Sequence, residues 1–142
     1  MTIGITPLVA LFGRIPHDLI ALLARLGIGI VFLRSGLLKW DGWADGTTQA
    51  LFREEYRLPL LPPELAAPLA MTAELSLPPL LLLGLATRFA ALALLGMTLV
   101  IQLFVYPNAF DTHATWAVAL LYLIKHGGGA VALDRLIGGR LG

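Results

Sequence analysis

Hydrophobic positions gather into four blocks, at about residues 19–40, 64–86, 89–106 and 113–126, with shorter polar stretches between them. The first block has the length of a membrane-spanning helix. Its polar and small residues are ordered: Arg25, Gly29, Phe32, Gly36 and Lys39 follow at offsets of four, three, four and three. On an α-helix these offsets keep all five within a sector of roughly 80°. Lipid cannot solvate such a stripe, so it is predicted to face protein or a cavity.

The chain before and after this block is punctuated differently. Residues 1–18 read as a short leader, and Pro16 and Asp18 suit the start of the first span. The polar stretch 41–63 carries Asp41, Asp45, Glu54 and Glu55. Within it, residues 47–57 predict a short helix that shows Leu51, Phe52 and Tyr56 to the bilayer, ended by Pro59, Pro62 and Pro63. The second block contains Pro68, Glu74, Pro78 and Pro79. Internal prolines free carbonyls one turn earlier and kink a helix, and Thr72 and Ser76 are the side chains at hand to satisfy them. A turn at residues 86–88 leads to the third block, and a loop at 107–112 to the fourth and shorter one. Gly127, Gly128 and Gly129 stop that helix, which leaves residues 130–142 as an amphipathic tail with Asp134, Arg135 and Arg140.

Composition turns these blocks into a fold class. Of the 142 residues, 58% are hydrophobic and 13% charged, too few polar residues to cover a soluble domain of this size. The expected fold is all-α, a four-helix transmembrane bundle with a short amphipathic helix in the first loop. Residues 1–142 then form a single membrane domain. The net charge of +1 offers no basic surface for nucleic acid. The chain has no cysteine, so it supplies no disulfide, thiolate ligand or iron–sulfur cluster of its own. No cleaved signal peptide is expected, because residues 1–12 lack a cationic start and a clear cleavage site.

With four spans the termini share a side. Arg14, Arg88, Lys125, Arg135 and Arg140 fall there, against Lys39, Arg53 and Arg57 opposite, so the positive-inside rule places both termini in the cytoplasm. Trp40, Trp43, Tyr106, Phe110 and Trp116 then form an interfacial belt on the outer side.

Glu74 carries the most information. A carboxylate within a span costs several kcal/mol unless it is paired, neutral or hydrated. Counted from residue 64, it lies roughly 15 Å deep. Side chains lean toward the N-terminus of their own helix, so in antiparallel first and second spans Lys39 and Glu74 lean toward each other while Arg25 leans away. Lys39 is the favoured partner, with water or Gln102 bridging a long gap, and Arg25 and Arg34 are the alternatives. Three readings of Glu74 stand: a charge pair that fixes helix register, a ligand or proton site, and a neutral hydrogen-bonded acid. Gln102 and His113 lie toward the same outer side and could join it. His113 at a helix start also reads as a cap. Arg34 lies off the stripe and suits headgroups or a partner subunit. His17 and His126 share the other side without a metal-ligand spacing, and no metal site is expected. Gly29 and Gly36 read as close helix packing.

The run Arg25-x3-Gly29-x2-Phe32-x3-Gly36-x2-Lys39 resembles the first-helix signature of the DoxX family of small bacterial membrane proteins. Glu74 followed by Leu81, Leu82, Leu83, Gly84, Leu85 and Arg88 is similar to its second-helix region. Trp116 and the glycine turn before Leu133 and Asp134 are similar to its end. Gly128 stands where many relatives have a proline, which predicts a looser turn. The resemblance implies a four-helix bundle in the bacterial inner membrane. Some members are named as the membrane subunit of a thiosulfate:quinone oxidoreductase. Others are linked to thiol and oxidative-stress complexes, or accompany copper- and metal-responsive peptide systems. Residues 55–67 are similar to the first loop of that last group.

Two functions are therefore expected to compete. The first is a membrane subunit of a redox-linked complex, with Glu74 catalytic and Lys39, Arg25, Gln102 and His113 binding a quinone or small anion. In that reading no cofactor is intrinsic, quinone is the candidate ligand, and redox groups come from a partner subunit. The second is a non-catalytic component of a metal- or stress-response system that anchors or exports a partner through residues 41–63. A homo-oligomer surrounded by lipid, lining a pore, is a third and weaker reading.

Overall fold

The computed structural model describes residues 4–138, and all regular structure there is helical. In chain order the helices are α1 (Thr6–Phe12), α2 (His17–Asp41), α3 (Thr47–Glu54), α4 (Pro63–Leu83), α5 (Thr87–Val100), α6 (Phe110–His126) and α7 (Leu133–Leu136). A π-helical turn, Ile101–Val105, extends α5. Among the described residues three helices are long and apolar enough to cross a membrane: α2, α4, and α5 with its π turn. The 17-residue α6 packs against α2 and α5, while α4 packs against α2 and α5. The core between them is Ile28, Phe32, Leu81, Leu94, Leu120 and Leu123, with Ala21, Ala90 and Ala91 at the close approaches.

The ends of these helices follow from local chemistry. Pro63 opens α4, where its missing N–H is not needed. Gly84 closes it in the left-handed region at φ 72°, and the Leu85 N–H reaches back to the Leu80 carbonyl. Asp45 accepts from the Thr47 N–H at 2.9 Å ahead of α3. The bonds from Thr47 hold its exposed carboxyl below the usual carboxylate range, so this turn stays fastened at neutral pH and loosens only in acid.

The ordered stripe on α2 is buried along its whole length, from Arg25 to Lys39. Its two glycines bring α2 against α4. A Cβ at Gly36 would lie 2.8 Å from the carbonyl carbon and oxygen of Glu74. One at Gly29 would meet the flexible Leu82 side chain at 3.0 Å. Gly36→Ala must therefore push two backbones apart and is expected to lower the thermal midpoint in detergent, by about 1–3 kcal/mol in stability. Gly27→Ala, with nothing within 4 Å, should not. Equal midpoints for the two variants would show that the crossing has room.

Several sequence expectations are corrected. Part of the leader is helical: α1 is a short apolar turn of chain with no buried residue. The helix at 47–57 ends at Glu54 and does not show its aromatics to lipid. Phe52 is 3% exposed, packed on Ala66 and Ala67, and Tyr56 faces inward as well. Ser76 bonds to the Thr72 carbonyl, whereas Pro78 and Pro79 free those of Glu74 and Leu75. Trp116 does not join an interfacial belt. It lies inside against Phe32 and His113, at ring distances of 5.3 and 5.1 Å. The turn at Gly128 is tight rather than loose, since a Cβ there would lie 2.8 Å from Thr87 Oγ1. The tail folds back, with Asp134 buried and its N–H on the Gly84 carbonyl at 3.0 Å. Arg140 lies outside the described residues.

Candidate functional site

Lys39 and Glu74 meet across the α2–α4 crossing. Lys39 Nζ lies 2.7 Å from Glu74 Oε2 and donates to Ser35 Oγ at 2.8 Å. Both charged residues are buried, and theirs is the one ion pair among the described residues. Local structure explains the geometry. Gly36 lets the α2 backbone touch α4 at Glu74, and Lys39 sits three residues on, one turn toward the α3 end. The carbonyl of Lys39 accepts from Thr48 Oγ1 at 2.7 Å, which fastens α3 to the end of α2. Taken out of water, two charges need such close geometry and further hydrogen bonds to be tolerated.

The pair forms the polar end of a cavity of about 470 Å³. Its other walls are almost entirely apolar or aromatic, among them Phe52, Leu61, Met97, Val105 and Trp116. Leu69 on α4 and Val100 on α5, 59% and 39% exposed, are among the residues that line it. Exposed aliphatic side chains on helices able to span a membrane suit lipid rather than water. Volume and lining match those of sites that hold small organic ligands.

A second layer of groups shapes this cavity. Lys39 Nζ lies 5.9 Å from the centre of the Tyr56 ring. Tyr56 stands edge-on to Phe52 and to Tyr106. The Tyr106 hydroxyl donates to Glu55 and contacts the Tyr56 hydroxyl. On the far wall His113 Nδ1 lies 2.6 Å from Gln102 Oε1, and the Gln102 amide donates to the Pro107 carbonyl at 2.8 Å. Gln102 belongs to the π turn, where the widened helix carries Ile101 and Val105 to the cavity wall.

The structure thus brings Lys39, Glu74 and His113 to one cavity, with Gln102 behind His113. Arg25 is not brought there. It lies near the opposite end of α2, 2% exposed. Its Nε donates to the Leu81 carbonyl at 2.8 Å, Nη2 to Leu82 at 2.9 Å, and Nη1 to Gly128 and Val131 at 3.2 and 3.4 Å. The α4 carbonyls carry the negative end of the helix dipole, which a cation stabilises. Beside it Asp134 accepts from the N–H groups of Ala86 and Thr87, and so holds Ala86 at its positive φ of 46°. Arg25 ties together three segments and binds no cavity. His17, Tyr122 and His126 cluster at this end, with His17 Nδ1 2.6 Å from the Tyr122 hydroxyl. No group of three metal-binding side chains occurs among the described residues.

Sequence reasoning did not find Ser35, Tyr56, Tyr106 or Trp116 as wall residues. The i, i+4 spacing of Ser35 and Lys39 was the one available signal.

The sequence pattern of the DoxX family matches residues 20–107. A protein of Haemophilus influenzae (strain ATCC 51907 / DSM 11121 / KW20 / Rd), described as uncharacterized, is 32% identical over 127 residues, covering 82% of each chain. No solved structure matches. The matched region contains the α2 stripe, Glu74 and the π turn, and the chain is a member of the DoxX family of membrane proteins.

Proposed function

We propose that this protein is the integral membrane subunit of a redox-linked complex, and that its cavity takes a lipophilic ligand with a hydrogen-bonding head, of the quinone class. One observation carries the reading: an ion pair at the polar end of an otherwise apolar cavity, lined in part by exposed aliphatic side chains of helices able to span a membrane. A purely structural charge pair needs no such space beside it. In this reading α6 is the fourth span of a transmembrane bundle. Both termini face the cytoplasm of a bacterial inner membrane, and α3 lies on the outer side.

The residues fit such a head group. Lys39 Nζ is a donor, Glu74 holds or releases a proton, and Trp116 offers a flat aromatic wall. A quinone, when bound, supplies a two-electron, two-proton couple. Electrons reach it from a partner subunit, because this chain has no cysteine for a cluster. The competing view, a loop that docks a partner through Phe52 and Tyr56, has less support, since both side chains are turned inward.

The test is titration of decylubiquinone into the protein in nanodiscs, followed by tryptophan fluorescence. Saturable quenching is expected, and it should diminish in Trp116→Phe. Glu74→Gln keeps an acceptor for Lys39 but loses the charge, and should weaken binding by about tenfold. Absence of saturable quenching in the unmodified protein overturns the quinone class. Unchanged affinity in Glu74→Gln removes Glu74 from the site.

A further inference from the structure

Lys39 is served from two directions. Besides the apolar cavity, a second one of about 480 Å³ reaches it from the loop side, with polar Ser35, Thr47, Thr48, Glu54 and Glu55 and apolar Leu38, Ala50 and Leu51 in its walls. Ser35, Lys39 and Tyr56 line both cavities, so the Tyr56 ring is a shared wall. The two spaces differ in chemistry. Glu54 and Glu55 are exposed at the second beside the exposed Leu38; carboxylates cannot rest in hydrocarbon, so a rim that mixes the two belongs among headgroups and water. Its one cation, Lys39, is already paired with Glu74. Arg53 and Arg57 are exposed but line neither cavity, and His113 on α6 faces only the apolar one.

We propose that this second cavity is the aqueous entrance to the Lys39–Glu74 pair, admitting protons and small cations and excluding anions, while the apolar cavity admits the lipophilic ligand. The function reading above supplies the use of the protons; the entrance itself rests on the two cavities alone. The transfer balances at named atoms. Lys39 gives a proton to the Glu74 carboxylate, one N–H breaking as one O–H forms, and the neutral amine takes a proton from a hydronium ion in the second cavity, leaving water. The net result is one proton moved from the outer water to Glu74, which borders the apolar cavity. The acidic rim concentrates cations and repels anions before they reach Lys39. The small anionic substrate considered in the sequence analysis is therefore not what enters here.

A cysteine-free chain makes the test direct. Ser35→Cys and Ala50→Cys each place a thiol in the second cavity, and Ala73→Cys places one in the apolar cavity only. The full chain in phosphatidylcholine vesicles is treated with a cationic trimethylammonium methanethiosulfonate, its anionic sulfonate analogue, and lipid-soluble N-ethylmaleimide. Relative to free-thiol rates, the cationic reagent should modify position 35 about tenfold faster than the anionic one. Glu54→Gln with Glu55→Gln should abolish that preference. Position 73 should react with N-ethylmaleimide and not with the cation, until Tyr56→Ala joins the two spaces. Position 50 repeats the measurement should Ser35→Cys fail to fold. Equal rates for the two charged reagents, or reaction at positions 35 and 50 with N-ethylmaleimide alone, would overturn the proposal. The expected accessibility together with a failure of decylubiquinone to bind would leave the entrance standing and remove only the quinone reading.

Discussion

Arg25→Ala is expected to lose about 3–5 kcal/mol of stability, the largest single effect in the chain away from the cavity. Four carbonyls, of Leu81, Leu82, Gly128 and Val131, accept from this one guanidinium; the bonds to Leu81 and Gly128 are buried, and Leu81 alone has a second donor, the Gly84 N–H. An orphaned buried acceptor costs about 1–3 kcal/mol. Relaxation of the short segment around Gly128 recovers part of the sum, so the total stays below four times that cost. In detergent the thermal midpoint should fall by roughly 10 °C, taking 2–4 °C per kcal/mol for a chain of this size. Arg25→Lys should recover little, because an ammonium is a point charge and cannot span carbonyls on two separate segments as a planar fork does. Decylubiquinone affinity should be unchanged in whatever fraction remains folded, since Arg25 lines neither cavity. A Lys variant as stable as the parent would refute the clamp.

The second large effect separates structure from function at the ion pair. Lys39→Met alone leaves Glu74 as a buried charge with no counterion, and Glu74→Leu alone does the same to Lys39. Each is expected to cost about 3–5 kcal/mol. The double variant removes both charges from a place where neither is solvated, so it should return to within about 1 kcal/mol of the parent. Its ligand binding should not return. The measurement is a double-mutant cycle of thermal midpoints, with decylubiquinone titration of the refolded double variant. Restored stability with restored binding would make the pair a packing device. Additive losses would mean that the two side chains do not pair in the membrane.

The α2 stripe and the meeting of Lys39 with Glu74 were legible in the sequence for one physical reason. In hydrocarbon a polar residue has nowhere to go but inward, so periodicity and side-chain tilt together name its direction. The same reasoning failed for Phe52 and Tyr56. An apolar helix face looks alike whether it meets lipid or an apolar cavity, and only tertiary structure decides which. Grouping Arg25 with the site had the same weakness. Its place on the stripe was readable, but its partners are backbone carbonyls, and these carry no residue identity to read. The π turn was hidden because Ile101, Leu103 and Val105 suit an ordinary helix equally well, and one added residue in a turn leaves no compositional mark.

The Arg25 clamp also imposes an order on biosynthesis. Arg25 enters the membrane with the first long helix, yet two of its acceptors, Gly128 and Val131, are made more than a hundred residues later. Until they arrive, the nascent bundle carries a cation whose hydrogen bonds are half made and an α5 start that Asp134 has not yet fastened. A chain cut short of residue 128 would lack two of the four Arg25 acceptors and the carboxylate that holds the Ala86–Thr87 turn. The segment 128–134 thus closes over helices made long before it, and the Arg25 end of the bundle is fastened only when that segment is in place.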